Sequence, residues 1–128
     1  MSKVKTSGPR TGQYILSEDS QNRSRDEIML DGDGKVLPCT VLGIRAATAD
    51  APAAFVPLDP TADDGSAIAA GILYEGRDLT DAEAAVEAVA TVRASQVKRM
   101  ELIWPVDATA EIIASGENDL KDIGVIVR

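Results

Sequence analysis

Residues 80–97, "TDAEAAVEAVATVRASQV", carry two conflicting secondary-structure signals. Thr80 followed by Glu83 matches a capping box, and the alanine and glutamate content of the segment also suits a helix. Alternate positions within the same segment are apolar, which is typical of a strand with one face on a core. These positions are Val86, Ala88, Ala90 and Val92. The residues alone favour neither a helix nor a strand.

The chain before this segment is composed of short apolar runs separated by turn residues. The runs are "QYIL" (13–16), "DEIML" (26–30), "CTVLGI" (39–44), "AFVPL" (54–58) and "AIAAGILY" (67–74). Each is bounded by Gly, Pro or Asp clusters, a pattern that predicts strands. The cluster "DGDGK", Asp31 to Lys35, predicts a tight turn between two of them. This part of the sequence therefore indicates a compact, β-rich body.

The chain after residue 105 predicts helices. Asp107 is the expected N-cap of a helix through "ATAEIIAS" (108–115), because a carboxylate there accepts a bond from an unpaired amide and suits the helix dipole. Gly116 is expected to interrupt it, and "ENDLKDIG" (117–124) to form a second short helix that Gly124 ends. "VIVR" (125–128) predicts a last strand. The predicted fold is α+β, a small single β-rich domain with short helices late in the chain.

Charge divides the chain into a basic start and an acidic remainder. The net charge is −8, from 13 Lys and Arg against 21 Asp and Glu, yet residues 1–17 hold Lys3, Lys5 and Arg10 and no acid. The polar, Gly- and Pro-containing segment 1–12 has no period long enough to fold alone. We therefore predict a flexible basic arm, residues 1–12, and a domain, residues 13–128. The arm is either a passive terminus or a segment that orders on a partner.

Composition excludes several classes of partner. The acidic excess argues against a nucleic-acid backbone, and no apolar run is long enough to cross a bilayer, so neither nucleic acid nor a membrane is expected. The N-terminus lacks the apolar segment of a signal peptide, which predicts a protein kept in the cytoplasm. The single cysteine, Cys39, excludes an intrachain disulfide and is expected to be a small buried apolar residue.

The sequence lacks the side chains that most catalytic and metal sites require. It contains no histidine, which excludes Ser-His-Asp and Cys-His arrangements and the usual zinc and iron ligand sets. "DGDGK" begins like a calcium loop, but Lys35, Val36 and Leu42 stand where an oxygen ligand, a glycine and a bidentate glutamate belong. We therefore expect no enzyme activity, no metal and no cofactor.

Five segments taken together resemble a known family. They are "NRSRDEIML" (22–30), "VLPCTVLG" (36–43), "PLDPTADDGSAIAAGILYE" (57–75), "ATVRASQVKRMELIWP" (90–105) and "IGVIVR" (123–128). In this order and spacing they resemble the head decoration proteins of lambdoid tailed bacteriophages, over about Gln13 to Arg128. The resemblance implies a capsid-stabilising protein without enzymatic activity or cofactor. It also implies a homotrimer on local three-fold sites of the expanded head, where it clamps the phage major capsid protein on the outer surface of the virion after assembly in the host cytoplasm.

The same resemblance makes the local predictions specific. It favours a strand from Val86 to Arg93, followed by a short helix near Ser95 to Leu102. It implies that the arm orders by pairing with capsid-protein strands. The residues expected to bind the capsid are Lys3, Lys5, Thr6, Arg10, Gln13 and Tyr14. The residues expected to act as a structural anchor or in trimer packing are Leu102, Trp104 and Pro105.

A second hypothesis belongs to another functional class. An acidic carbohydrate-binding or hydrolytic domain acting at the host surface would use carboxylates such as Asp63, Asp64, Glu75 and Asp78. Only four residues of the chain are aromatic, so it lacks the stacking platforms that a sugar site usually offers. Binding to expanded heads compared with binding to a glycan panel would separate the two hypotheses.

Overall fold

The computed structural model describes residues 9–19 and 23–128. Ten β-strands lie in this part of the chain: β1 (Ile15–Glu18), β2 (Arg25–Leu30), β3 (Lys35–Val36), β4 (Val41–Arg45), β5 (Ala54–Pro57), β6 (Ala69–Leu73), β7 (Arg77–Asp78), β8 (Val86–Thr91), β9 (Ser95–Val97) and β10 (Val125–Val127). A 3-10 helix, Arg99–Glu101, follows β9, and the α-helix α1, Ala110–Asp122, precedes β10. The predicted α+β class, with a β-rich body and its helices late in the chain, is confirmed.

Five strands close into a small barrel in the order β2, β5, β4, β6, β8. β8 closes it by pairing antiparallel with β6 on one side and with all of β2 on the other, from Arg25 opposite Thr91 to Leu30 opposite Val86. The strand favoured for residues 86–93 is therefore confirmed over Val86–Thr91. Residues 80–85 contain no helix, and the Thr80 hydroxyl donates to Asp78 Oδ1, 2.5 Å away. The capping box at Thr80 and Glu83 therefore does not start a helix. Pairing in the barrel and burial of alternate β8 side chains such as Ala88 and Ala90 favour a strand instead.

A three-stranded sheet, in the order β1, β9, β10, lies outside the barrel. β9 runs antiparallel to β1 and parallel to β10, so it forms ladder hydrogen bonds along both of its edges. This pairing holds Ser95–Val97 extended. The helix predicted near Ser95 to Leu102 is therefore wrong for residues 95–97 and is reduced to the 3-10 helix Arg99–Glu101.

The buried side chains form two layers, one on each face of the barrel wall. The interior layer contains Ile28, Leu30, Val36, Leu42, Leu73, Leu79, Ala88 and Ala90. The outer layer, between the barrel, α1 and the three-stranded sheet, contains Tyr14, Cys39, Val41, Leu58, Ala69, Ile72, Val97, Leu102, Leu120 and Val125. Neighbours in sequence such as Val41 and Leu42 enter different layers, because successive side chains of a strand point to opposite faces. The expectation that Cys39 is buried is confirmed.

Helix α1 begins two residues later than the sequence predicted. Its N-cap is Thr109, whose hydroxyl oxygen accepts a hydrogen bond from the amide of Ile112 at 3.2 Å. Asp107 does not cap it, because the chain still turns there, with the amide of Ala108 donating to the carbonyl of Pro105. The predicted position of the cap was wrong, although the helix itself is confirmed.

Gly116 does not interrupt α1, contrary to the prediction of two short helices. The helix runs through it, and the residue is buried. A Cβ built at Gly116 would lie 2.4 Å from ring carbon Cζ3 of Trp104, so this glycine accommodates the indole ring rather than ending a helix. Gly124, with φ of 89°, is the residue that follows the end of α1 in a left-handed conformation, as predicted.

Candidate functional site

The structure describes three of the six residues expected to bind the capsid. Lys3, Lys5 and Thr6 lie outside the described residues. Arg10 is exposed, Gln13 is half-buried and Tyr14 is completely buried. The predicted strand at "QYIL" begins only at Ile15, because the residues before it form a turn.

The segment Arg10–Ile15, which we call the arm base, folds into a compact turn. The amide of Gln13 donates to the carbonyl of Arg10 at 3.1 Å, and the amide of Ile15 donates to the carbonyl of Gly12 at 3.1 Å. The side chain of Gln13 folds back so that Oε1 accepts from the amide of Arg10 at 2.8 Å. Gly12 has φ of 67°, the left-handed region that few residues other than glycine adopt without strain.

Hydrogen bonds attach the arm base to three separate parts of the body. The amide of Gly12 donates to the carbonyl of Tyr74, just after β6, at 3.0 Å. Gln13 Nε2 donates to Glu101 Oε2, in the 3-10 helix, at 2.6 Å. The carbonyl of Tyr14 accepts from the amide of Lys98, just after β9, at 2.7 Å. The arm base is therefore part of the folded body.

Tyr14 is an internal anchor and its side chain is not accessible to a capsid partner. The phenol oxygen lies 2.6 Å from Thr91 Oγ1 on β8 and 3.3 Å from the carbonyl oxygen of Ile72 on β6. Burial raises the pKa of the Tyr14 phenol, so the group stays neutral. The expectation that Tyr14 binds the capsid is replaced by a role in the core, where it joins β1 to the barrel.

A charged cluster lies beside the arm base on the surface of Tyr74. The Arg25 guanidinium stacks over the Tyr74 ring, 4.0 Å from the ring centroid. Arg25 also forms an ion pair with Glu18, whose Oε2 accepts from Arg25 Nε at 3.1 Å and from Ser24 Oγ at 2.5 Å. The hydrogen bond from Arg25 lowers the pKa of Glu18, so the carboxylate stays ionised. This cluster supports the ring against which Gly12 packs.

Trp104 lies between α1 and an open apolar groove. The residue is half-buried, packs against the outer core layer and contacts Gly116, while Leu102 is buried in that layer. The groove has a volume of about 240 Å³, and Trp104, Pro105, Val106 and Leu37 line part of it. Val106 is fully exposed and places an apolar side chain at the edge of the groove.

The carboxylates of the alternative hypothesis do not form an acid and base pair. Asp64 Oδ1 accepts from the amide and the hydroxyl of Ser66, and Asp78 Oδ1 accepts likewise from Thr80. These hydrogen bonds lower the pKa of both carboxyl groups, which is the opposite of what a general acid requires. Glu75 lies 3.6 Å from Arg77, and Asp63 is exposed. Nothing in this geometry favours glycoside hydrolysis.

Two further titratable residues, Asp31 and Cys39, lie in environments that suit a structural role. Asp31, in "DGDGK", accepts from Arg45 at 2.7 Å and from the amide of Gly32 at 2.8 Å. Burial raises the pKa of the Cys39 thiol to about 11, which disfavours the reactive thiolate. Within residues 9–19 and 23–128, no three His, Cys, Asp or Glu side chains are grouped as metal ligands. No helix in those ranges has the length and apolar character needed to cross a membrane.

Two residues of this site, Tyr74 and Glu101, were not predicted from the sequence. Both lie in segments that resemble the family, but their contacts with the arm base span long separations in the chain, and no local pattern indicates those contacts. Gly12 and Gln13 gave a weak signal, since a glycine beside the start of a predicted strand indicates a turn. The fold was needed to show what that turn contacts.

Comparison with known proteins connects this geometry to one family. A family model described as bacteriophage lambda head decoration protein D matches residues 4–125, nearly the whole chain. The match includes the arm base, the barrel, α1 and, of the three-stranded sheet, β1, β9 and the first residue of β10. No curated protein matches the chain.

Proposed function

The chain belongs to the family of the bacteriophage lambda head decoration protein D, and on this premise we propose that it stabilises the expanded phage head as a trimer. The family is one of structural phage proteins, and its role is decoration of the capsid. In our proposal the chain binds the major capsid protein at local three-fold sites on the outer surface of the virion. It reaches those sites from the host cytoplasm, where the head is assembled.

The observation that carries the proposal is the family match over residues 4–125, which includes most of the basic arm. The arm brings Lys3, Lys5 and Arg10 to an otherwise acidic protein. A short basic segment of this kind could bind an exposed strand edge, where main-chain hydrogen bonds would supply affinity. Acidic groups on the capsid would then face the arm's cations.

Stabilisation follows from selective binding. A ligand that binds the expanded head and not the unexpanded one shifts the equilibrium towards the expanded head by mass action. A trimer presents three arms at once, so weak individual contacts combine through effective concentration. The mechanism requires no bond to be made or broken.

The experiment that tests the arm is attachment to expanded heads assembled without decoration protein. Deleting residues 1–8 keeps every described contact of the arm base, so the melting temperature of the free protein should stay nearly constant while attachment weakens greatly. Replacing Lys3, Lys5 and Arg10 together by Ala should weaken attachment less, and chiefly at low salt, because exposed charges are screened. Sedimentation of heads with bound protein measures both effects.

Two results of the sedimentation experiment would contradict this proposal. If the truncated protein decorates heads as well as the full chain does, the surface of the body carries the binding. If the full chain itself does not sediment with expanded heads but binds a glycan panel, the capsid role proposed here is wrong.

A further inference from the structure

We infer that Gly12 and Gln13 are positioning residues that fix the direction in which the arm leaves the body, with Tyr74 and Glu101 as their partners. The inference rests on the proposed function, since it concerns how the arm is presented to the capsid. The two residues act through the arm base and not by contacting the capsid themselves. Attachment should therefore depend on them even where the cations of the arm are unchanged.

The first argument is the spread of the attachment points. The arm base is bound after β6, after β9 and in the 3-10 helix, through Gly12, Tyr14 and Gln13 respectively. Three points that do not lie on one element fix both the position and the orientation of a short segment. The chain before Arg10 therefore starts from a defined point and in a defined direction.

The second argument is the fit of Gly12 against Tyr74. A Cβ at Gly12 would lie 2.7 Å from Cε1 of the Tyr74 ring, and the backbone already has φ of 67°. Any larger residue would have to displace the ring or change the turn. The ring itself is held by Arg25, which stacks on it and is held in turn by Glu18. The close contact brings the amide of Gly12 within reach of the Tyr74 carbonyl.

The third argument is the double use of the Gln13 amide. Its Oε1 accepts from the amide of Arg10, and its Nε2 donates to Glu101 Oε2. The Gln13 side chain thus connects Arg10, the first residue of the arm base, to the 3-10 helix. A carboxylate acceptor makes the second bond a strong one. Without this side chain Arg10 loses its side-chain acceptor, and the start of the arm gains conformational freedom.

The consequence for binding is entropic. A segment that is already fixed at its base has less conformational freedom to lose on binding than one that swings freely. Gln13→Ala should therefore weaken attachment to expanded heads by roughly five- to tenfold, while the melting temperature changes little. Gly12→Ala should weaken attachment more, since it disturbs the turn and its contact with Tyr74.

The experiment measures attachment to expanded heads together with motion at the arm base in the free protein. A nitroxide label on Gly8→Cys, two residues before the arm base, reports how freely the chain leaves the arm base, and the completely buried Cys39 does not compete for the label. Gln13→Ala should increase the mobility of the label and weaken attachment. Glu101→Ala removes the acceptor of Gln13 Nε2 and should change both in the same direction as Gln13→Ala, whereas Glu101→Gln retains an oxygen acceptor without the charge and should change both less. Thr80→Ala removes a surface hydrogen bond elsewhere and serves as the matched control.

The outcomes separate this inference from the proposed function. If Gln13→Ala and Gly12→Ala attach as the full chain does, while deletion of residues 1–8 abolishes attachment, the arm binds but its base does not position it. If Gln13→Ala weakens attachment equally with and without residues 1–8, its effect is on the body and the inference is wrong. If the unchanged full chain fails to attach, the proposed function itself is wrong.

Discussion

At the scale of single residues, the contact between Trp104 and Gly116 explains two features of the sequence. The tryptophan lies half-buried outside the barrel, and the glycine is placed mid-helix, where it costs about 1 kcal/mol relative to alanine. The ring occupies the space that a Cβ would need. The indole ring of Trp104 thus explains why residue 116 is a glycine, and the absence of a side chain at Gly116 explains how the ring fits against α1.

We expect Gly116→Ala to destabilise the body by about 1–3 kcal/mol, because the added methyl overpacks the indole ring. In a Trp104→Ala background the same change should instead stabilise it, by up to about 1 kcal/mol, because only the helix propensity remains. Urea unfolding of the four proteins in this cycle measures the coupling. Equal effects of Gly116→Ala in both backgrounds would contradict the packing contact.

The Glu18–Arg25 ion pair predicts a specific acid sensitivity. Both side chains are about one-fifth exposed, and the hydrogen bond from Arg25 lowers the pKa of Glu18 below its usual value of 4.5. The pair therefore stabilises the fold fully above pH 4.5 and loses that contribution as the pH falls through the lowered pKa. At neutral pH, Glu18→Gln should cost about 1–3 kcal/mol.

The free energies of unfolding of the two proteins should then converge as the pH is lowered, which denaturant titrations between pH 7 and pH 2 would detect. Glu75→Gln is the control, because Glu75 is more than half exposed and lies 3.6 Å from its partner Arg77. A constant gap between Glu18→Gln and the unchanged protein at every pH would rule out the ion pair as its cause.

At the scale of elements, the sequence predicted most strands of the barrel, the terminal strand and the presence of a late helix, but it assigned β9 to a helix and did not predict which elements pair. The β-rich body, the terminal strand and a late helix all follow from local periodicity and turn residues. Local periodicity did not determine whether residues 86–91 form a helix or a strand. That choice depended on pairing with β2 and β6, which lie far away in the chain. The interruption expected at Gly116 was wrong for the same reason, since only the fold brings Trp104 against it.

The cap of α1 gives a test in which sequence and structure make different predictions. Thr109→Ala should destabilise the protein by about 1 kcal/mol, because the amide of Ile112 loses its acceptor. Asp107→Ala, the cap expected from the sequence, should change the free energy of unfolding by less than about 0.5 kcal/mol. Thermal denaturation followed by circular dichroism compares the two. A larger effect at Asp107 would favour the cap that the sequence indicated.

The candidate site was predictable only in part for a related reason. Charge and composition indicate a basic arm before an acidic domain, but they give no information about what holds its base. Gln13 and Tyr14 are neighbours in sequence, yet one binds Glu101 at the surface and the other enters the core. The two side chains differ in direction because they lie in the turn that precedes β1, and the local sequence does not predict that turn's geometry.

At the scale of the whole molecule, the proposed trimer requires an apolar surface, and the groove beside Trp104 provides one. Val106 is fully exposed at its edge. We expect Val106→Asp to leave the fold intact and to dissociate the trimer, because a charge buried at an interface without a partner is costly. The molar mass measured by light scattering should then fall from three times the 13.5 kDa chain mass to the mass of one chain.

Ile68→Asp is a suitable control for that experiment, since Ile68 is 60% exposed and does not line the groove. It should leave the mass unchanged. If the unchanged protein has the mass of one chain at all concentrations and occupies heads as monomers, the proposal of a trimer is wrong. Dissociation by Ile68→Asp alone would place the interface on another surface.

The three-stranded sheet also determines the order in which a newly made chain can fold. Ile15 and Val127 are both registered opposite Val97, so the first strand and the last strand meet on either side of β9. During synthesis β1 emerges from the ribosome long before β9 exists to pair with it, whereas every strand of the barrel is available by residue 91. None of the strand pairs in the barrel therefore depends on β9, β10 or the arm base. The arm base, whose partners include Lys98 and Glu101, reaches its final position only late in synthesis, so a nascent chain stalled before that point has no fixed arm.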